Sequence, residues 1–340
     1  MLKFLVFTDS HYRKGMYRTG VEDLQKILRR AHEENVDFVV HAGDMCNDYQ
    51  NSPEFINAYL NNSYDLPVYG VFGNHELESG NTMEFVAPRL CNRKVHFGEP
   101  IYNETTAGHW YTDIKGYRLI GLDTNFVYRQ RGFDRIWERK TELGSPDGTF
   151  IEDCLAPAQL EWLYHRIAEA HAQSMKVITV SHAAFADIPY ECSPDAEHVQ
   201  NIFAKFPGTV MLAMNGHYHT DHCEVRAGVC YFDVNTAING CWEPQTEPHY
   251  ADTDVFPFTQ YDAVGNPVST APFRYNDLMQ GWNTWSFAEP LSAVVTIDEN
   301  CISIHGSKTE WSCGVVPVPQ TVRRLYDGIK PEIPDREIVL

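Results

Sequence analysis

Five short polar clusters carry the residue types that bind metal ions: Asp9-x-His11, Gly43-Asp44, Gly73-Asn74-His75-Glu76, Ser181-His182 and Gly216-His217-x-His219. Carboxylate, carboxamide and imidazole are oxygen and nitrogen donors that suit Mn, Fe, Zn, Co or Ni, whereas thiolate-rich sets select softer metals. Each cluster alone has a plainer reading. Gly-Asp after a strand is ordinary turn chemistry, and Asn74 is a common turn residue. His182 alone reads as a hydrogen-bonded core histidine, and His217 and His219 as strand-end residues.

Each cluster follows an apolar stretch with the length and composition of a strand: residues 2–7, 36–40, 67–72, 177–181 and 209–214. After the first, Val21, Leu24, Ile27, Leu28 and Ala31 fall on one helical face. Ser52-Pro53 starts a second helix, with Ser52 as its cap and Pro53 in the first turn. Such strand–helix units predict βαβ crossovers and a parallel sheet. The polar strand ends then converge on one rim, where open α/β sheets hold their ligands.

Further along, residues 109–114 and 117–122 predict a hairpin around Lys115-Gly116. Residues 157–172 predict a helix with Leu160, Leu163, Tyr164 and Ile167 on one face, and residues 221–235 a further pair of strands. Residues 124–150 hold Arg129, Arg131, Arg135 and Arg139 among aromatics and read as a loop, inserted near a substrate or simply solvated. Residues 251–340 show no helical periodicity; Pro-rich loops, a hairpin over 291–306 and a Pro-rich tail predict an extension of short strands packed on the main body.

At 340 residues, with 43% hydrophobic and 13% aromatic residues, the chain buries a large core and is not disordered. A net charge of −19 argues against nucleic acid or an anionic membrane as a partner. A phosphate substrate stays open, because bound metal ions reverse the local potential. Nine cysteines without a C-x-x-C pair suggest neither a disulfide framework nor a zinc knuckle; they read as small buried hydrophobes in a reducing compartment. No signal-peptide pattern fits and no apolar run approaches the roughly 18 residues of a membrane helix. The expected location is therefore cytoplasmic. The oligomeric state is not legible.

Taken in order, the series D-x-H, G-D, G-N-H-E, H and G-H-x-H resembles the calcineurin-like metallophosphoesterase superfamily over residues 1 to roughly 235. The resemblance implies a four-layer α/β/β/α sandwich: a catalytic domain over residues 1–250, with residues 251–340 as a small C-terminal extension of short strands packed on it. It also implies two divalent or trivalent transition-metal ions, with Mn, Fe or Zn expected. One ion would take Asp9, His11, Asp44 and His219, and the other Asp44, Asn74, His182 and His217, with Asp44 bridging. Two dications about 3.5–4 Å apart repel, and a shared carboxylate with a shared hydroxide offsets this. The implied reaction is in-line attack on phosphorus by metal-activated hydroxide, with the pKa of water lowered from about 15.7 toward neutrality. His75 matches the histidine that stabilises the phosphorane-like charge or protonates the leaving oxygen, and is not expected to be a ligand.

Departures narrow the substrate. Protein Ser/Thr phosphatases of the superfamily carry G-D-x-x-D-R-G, whereas here Gly43-Asp44-Met45-Cys46-Asn47-Asp48-Tyr49 lacks the arginine. Purple acid phosphatases place a Tyr ligand three residues after the Asp, where this chain has Asn47. The overall spacing is more similar to bacterial phosphodiesterases of cyclic nucleotides and glycerophosphodiesters, so a small phosphodiester is the expected substrate. A phosphomonoesterase is the alternative, and the arginines of residues 129–139 would serve its extra charge. A scaffold that kept the fold without catalysis is disfavoured by the complete set of positions, and a nuclease by the acidic charge. His41 reads as a core residue or a support for the centre, and His222 as a support or solvated. Arg13, Lys14 and Arg18 read as phosphate contacts or a solvated loop. Tyr218 would line the pocket or pack beneath it.

Overall fold

Strand β1 (Leu2–Phe7) sends Phe4 and Val6 to one face and Leu5 and Phe7 to the other, and both faces are apolar and buried. A strand covered on both sides belongs inside a stack of layers. β1 pairs in parallel with β2 (Phe38–His41), which pairs in parallel with β3 (Val68–Gly70). On its other edge β1 pairs antiparallel with the strand Ala293–Asp298, followed by Cys301–His305 and Arg336–Val339, giving a six-stranded sheet. The chain's last strands thus complete the sheet that its first residues begin. Described in the computed structural model are residues 1–12, 19–47, 52–78, 82–101, 104–129, 132–135, 150–186, 192–244, 256–257, 260–261, 267–269, 272–273, 282–312 and 330–340.

The second sheet has seven strands. Short β4 (His96–Phe97) and the hairpin of β5 (Trp110–Ile114) and β6 (Tyr117–Gly121) form one end. A small separate antiparallel sheet is built from β7 (Phe126–Arg129), β8 (Gly132–Arg135) and β9 (Phe150–Cys154). The main sheet continues from β6 through β10 (Lys176–Val180), β11 (Val210–Asn215) and β13 (Val229–Asp233), all parallel, to an antiparallel edge at β12 (His222–Arg226).

The two sheets face each other across Phe4, Val6, Phe38 and Val40 from one and Leu119, Ile178, Val180, Leu212 and Phe232 from the other. Each fully buried side chain of this size contributes roughly 1.5–3 kcal/mol. Trp110 joins the layers: its Nε1 donates to Gly70 O at 3.0 Å, and its ring stacks on Tyr69. Helices α1 (Val21–Glu33) and α2 (Pro53–Leu60) cover the outer face of the first sheet, with Leu24, Ile27, Leu28 and Phe55 against Leu5, Phe7 and Val39. Short α3 (His75–Glu78) and α4 (Met83–Val86) follow β3. Helices α5 (Pro157–Ala172) and α6 (Ala196–Ala204) cover the second sheet through Leu163, Ile167, Val199 and Phe203. The result is helix, sheet, sheet, helix, as the resemblance implies.

Three local differences from the sequence reading stand out. Ser52 occupies the cap position of α2 but makes no side-chain cap hydrogen bond; its backbone carbonyl receives Phe55 N at 3.2 Å instead. Residues expected to form a loop between 124 and 150 contribute the strands β7, β8 and the start of β9. Helix α6 was not expected. Arg13, Lys14, Arg18, Asp48, Tyr49, Arg131 and Arg139 lie outside the described residues, and only the backbone of Arg129 and Arg135 is described. Among the described residues no helix is long and apolar enough to cross a membrane.

Candidate metal centre

Register brings the strand ends level. Phe7 pairs with His41 and His41 with Gly70 in the first sheet; Gly121 pairs with Val180 and Val180 with Met214 in the second. All the polar clusters therefore leave at one rim. Beyond the strands the first two loops keep pairing: Asp9 N donates to Gly43 O at 3.0 Å, His11 N to Asp44 O at 2.9 Å and Tyr12 N to Met45 O at 2.9 Å. Ala237 N donating to Thr8 O at 2.8 Å ties the two sheets together there, and Gly216 N donating to His182 O at 3.1 Å ties two loops of the second sheet.

Asp9, His11, Asp44, His217 and His219 all have positive φ, between 46° and 74°. Non-glycine residues there are uncommon, and such strain collects at functional sites held by their surroundings. Gly43, at φ +99°, is required twice over: the conformation disfavours a side chain, and a Cβ would overlap the His182 ring. A Cβ on Gly73 would overlap the Asp44 carboxylate.

The expected residues come together as two overlapping groups. His11 Nε2 lies 3.0 Å from His219 Nε2, and Asp9 Oδ1 lies 3.3 Å from His219 Nε2 and 3.6 Å from His11 Nε2. His182 Nε2 lies 3.2 Å from Asp44 Oδ2 and 3.1 Å from His217 Nδ1. Asp44 Oδ2 is also 3.8 Å from His11 Nε2 and 3.8 Å from His75 Nε2, so it faces both groups. Asn74 is buried between Gly73 and His75 on the same rim. The His75 side chain is more exposed, at 21%.

The donor set fits a pair of transition-metal ions. Asp9 Oδ2 accepts from Thr8 Oγ1 at 2.7 Å and from His217 N at 2.9 Å, whereas Oδ1, fully buried, accepts no hydrogen bond among the described residues and faces imidazole nitrogens. Two of the donors are also aimed from behind. His11 Nδ1 contacts Asn47 Oδ1 at 2.7 Å and His182 Nδ1 contacts Ala42 O at 2.9 Å, leaving Nε2 of both toward the centre. Such outer partners fix the tautomer and orientation of a metal-binding histidine.

Charge is shared out accordingly. Burial alone would raise the carboxyls, but for Asp9 the imidazoles of His219, His11 and His182, and for Asp44 those of His182, His75 and His11, hold them well below the usual carboxylate range. Burial would lower His182, yet Asp44, Asp9 and the Ala42 carbonyl raise it to about 10. Burial pushes His41 down to about 3, so it stays neutral, accepting Gly43 N at Nδ1 (3.1 Å) and facing Ser10 Oγ at Nε2 (3.3 Å). His41 is thus a support for the Gly43-Asp44 turn.

A consequence is measurable. A metal ion needs the lone pair that carries the proton of His182, so loading expels that proton. At pH 8 we expect about one proton released per protein from this group, and an affinity that rises roughly tenfold per pH unit toward 10. In the chelator-stripped protein the same raised value stabilises the fold fully below the ordinary 6.5 and is lost as pH rises through about 10. Calorimetric titration in buffers of different ionisation enthalpy reads the released proton; a buffer-independent heat at pH 8 would contradict it.

Several supporting residues were given no role of their own by the sequence reading. Glu76, fully buried, accepts from Gly73 N (2.6 Å), Asp44 N (2.9 Å) and Met45 N (2.6 Å), clamping two of the loops together. Burial and the neighbouring Asp44 raise its carboxyl to about 7 against those donors. Asn125 Nδ2 donates to Phe72 O at 3.2 Å, Thr124 Oγ1 accepts from Ala183 N at 3.1 Å, and Thr236 Oγ1 donates to Asp9 O at 2.9 Å. Both the 123–125 and 235–236 segments are polar residues following strands, the same signal that marks the five clusters. Tyr218 is buried and packs against Ala184, and His222 pairs across β12 and β13 with Asp233.

The fold has known counterparts. A dimetal phosphatase from Danio rerio is similar at 12% identity, with a TM-score of 0.56 over 92% of this chain and 99% of that one. A purple acid phosphatase from Lupinus luteus seeds matches at 14% identity with a TM-score of 0.44; this chain covers 53% of its length, and the match adds nothing to the first. No curated protein matches in sequence. A family model does match, over residues 2–221, and its description is calcineurin-like phosphoesterase. With that match over most of its length, and with the five clusters on one rim, the chain belongs to the calcineurin-like phosphoesterase family.

Proposed function

We propose that the protein hydrolyses a small phosphodiester at a two-metal centre, with Asp9, His11, Asp44 and His219 around one ion and Asp44, Asn74, His182 and His217 around the other. The convergence of two Asp/His groups on the shared Asp44 carries this reading. When bound, the ions would polarise the phosphoryl oxygens and lower the pKa of water; Mn, Fe or Zn suit the donors. The chain's own part is to hold these donors in place. Asn47 and Ala42 O turn the imidazoles of His11 and His182 inward, and Glu76 locks the Asp44 loop to the His75 loop. His75, at 21% the most exposed of these side chains, is the one placed to meet the phosphoryl group or the leaving oxygen.

The diester preference is supported by the sequence: residues 43–49 carry neither the arginine of the protein phosphatases nor a tyrosine three residues after Asp44, and the overall spacing is more similar to bacterial phosphodiesterases. The test is hydrolysis of bis(p-nitrophenyl) phosphate against p-nitrophenyl phosphate, after stripping and readdition of Mn, Zn, Fe or Co. We expect the diester to have the higher kcat/KM with at least one of these metals. Inactivity on both with every metal would sink the enzyme reading, and a monoester preference would sink the substrate class alone.

A further inference from the structure

His11 and His182 each turn Nε2 toward the centre because Nδ1 is engaged from behind. His217 is reversed. Its Nδ1 lies 3.1 Å from His182 Nε2, and its Nε2 lies 3.3 Å from Asp153 Oδ2. Asp153 sits on β9, within the small sheet built from β7, β8 and β9, outside every motif that marks the family in this sequence. Its φ is 59° and its side chain is 19% exposed, beside the 13% exposed His217.

We propose that Asp153 is a positioning residue for His217, through which the β7–β9 sheet is anchored to the metal centre. The inference rests on the two-metal reading above. A carboxylate at Nε2 selects the tautomer that carries its proton there and leaves the Nδ1 lone pair facing His182 and Asp44. It also raises the basicity of that lone pair, as carboxylates behind metal-bound imidazoles do. His217 needs such a partner more than its neighbours do. It is the less buried of the histidines grouped with Asp44 and His182, its own φ is 74°, and its backbone N is committed to Asp9 Oδ2. Among the described residues the other contacts of the ring are edge-on, with His182 and Tyr218, both at 4.8 Å between centroids.

Positive φ decides which variants test this. Alanine at 153 would add backbone strain, whereas glycine removes the side chain and keeps the conformation, and asparagine tolerates it and keeps an acceptor for the Nε2 proton. Co(II) is titrated into the stripped full-length protein, and both equivalents are followed by equilibrium dialysis and by visible absorption. We expect Asp153→Gly to bind one equivalent as the parent does and the other 10- to 100-fold more weakly, with a changed absorption band for the weakened one. The weakened equivalent should be the one that His182→Ala loses. Asp153→Asn should recover most of the affinity. Parental binding of both equivalents by Asp153→Gly, equal weakening of both, or an Asp153→Asn no better than Asp153→Gly overturns the role. If Asp153→Gly does not fold, Asp153→Asn decides by itself: near-parental binding of both equivalents supports the role, and equal weakening of both overturns it. A parent that binds neither equivalent refutes the two-metal reading and this role with it, so the two failures are told apart.

Discussion

Asp44→Ala is expected to bind neither metal ion and to lose hydrolysis to background. The carboxylate stands between the two groups: Oδ2 is 3.2 Å from His182 Nε2 and 3.8 Å from His11 Nε2, and Oδ1 accepts His75 N at 2.9 Å. Among the described residues Asp9 Oδ1 also comes near both, 3.3 Å from His219 Nε2 but 4.0 Å from His182 Nε2, and two cations placed side by side need a shared anion between them. Removing it takes a donor from each ion and the screen between them. Each affinity should therefore fall by more than the roughly 100-fold that losing an orienting partner costs. A terminal donor behaves differently: His219→Ala should keep one equivalent. Metal content after dialysis, by elemental analysis, makes the comparison. One ion retained by Asp44→Ala at parental affinity would show that the bridge is assigned wrongly. The same variant also takes away the main anionic partner of His182, so its raised value should fall back toward the ordinary histidine range.

The reach of the sequence can be judged from the same residues. The strand ends were legible because each is an apolar run stopped by a polar cluster, in three cases with a glycine, and local pattern is enough to see that. Asp123-Thr124-Asn125 and Asn235-Thr236 obey the same rule but offer no imidazole, and only the hydrogen bonds to Phe72, Ala183 and Asp9 reveal what they hold. The pairing of Leu2 with Ile297 joins the two ends of the chain, and no local periodicity encodes such a partner. The reversal of His217 and the approach of Asp153 are of the same kind, products of register and loop path. Left-handed backbone at Asp9, His11 and Asp44 was hidden as well, because these residue types do not announce it as glycine does. Chemistry with a fixed order was readable; the geometry that tunes it was carried by contacts between distant segments.

His75→Ala should separate binding from turnover: both ions kept, kcat lowered by about 10²- to 10⁴-fold. His75 Nε2 lies 3.8 Å from Asp44 Oδ2, near enough to His11 and Asp44 to be counted as a donor itself. Three observations favour a role toward substrate. The side chain is 21% exposed, against 2% for His11 and 1% for His182. Its backbone N, at the start of α3, already serves Asp44 Oδ1, so the carboxylate is held even without the ring. And its ring meets His11 edge-on, at 84° and 4.8 Å, which turns it across that imidazole and not alongside it. Leaving-group dependence then decides what the ring does. If it protonates the leaving oxygen, the loss should be small for a p-nitrophenyl ester and large for an alkyl ester, whose departing alkoxide needs the proton. If it stabilises charge on the phosphoryl oxygens, both esters should lose alike. Loss of a metal equivalent in His75→Ala would make the residue a ligand, and full turnover with both esters would remove it from the mechanism.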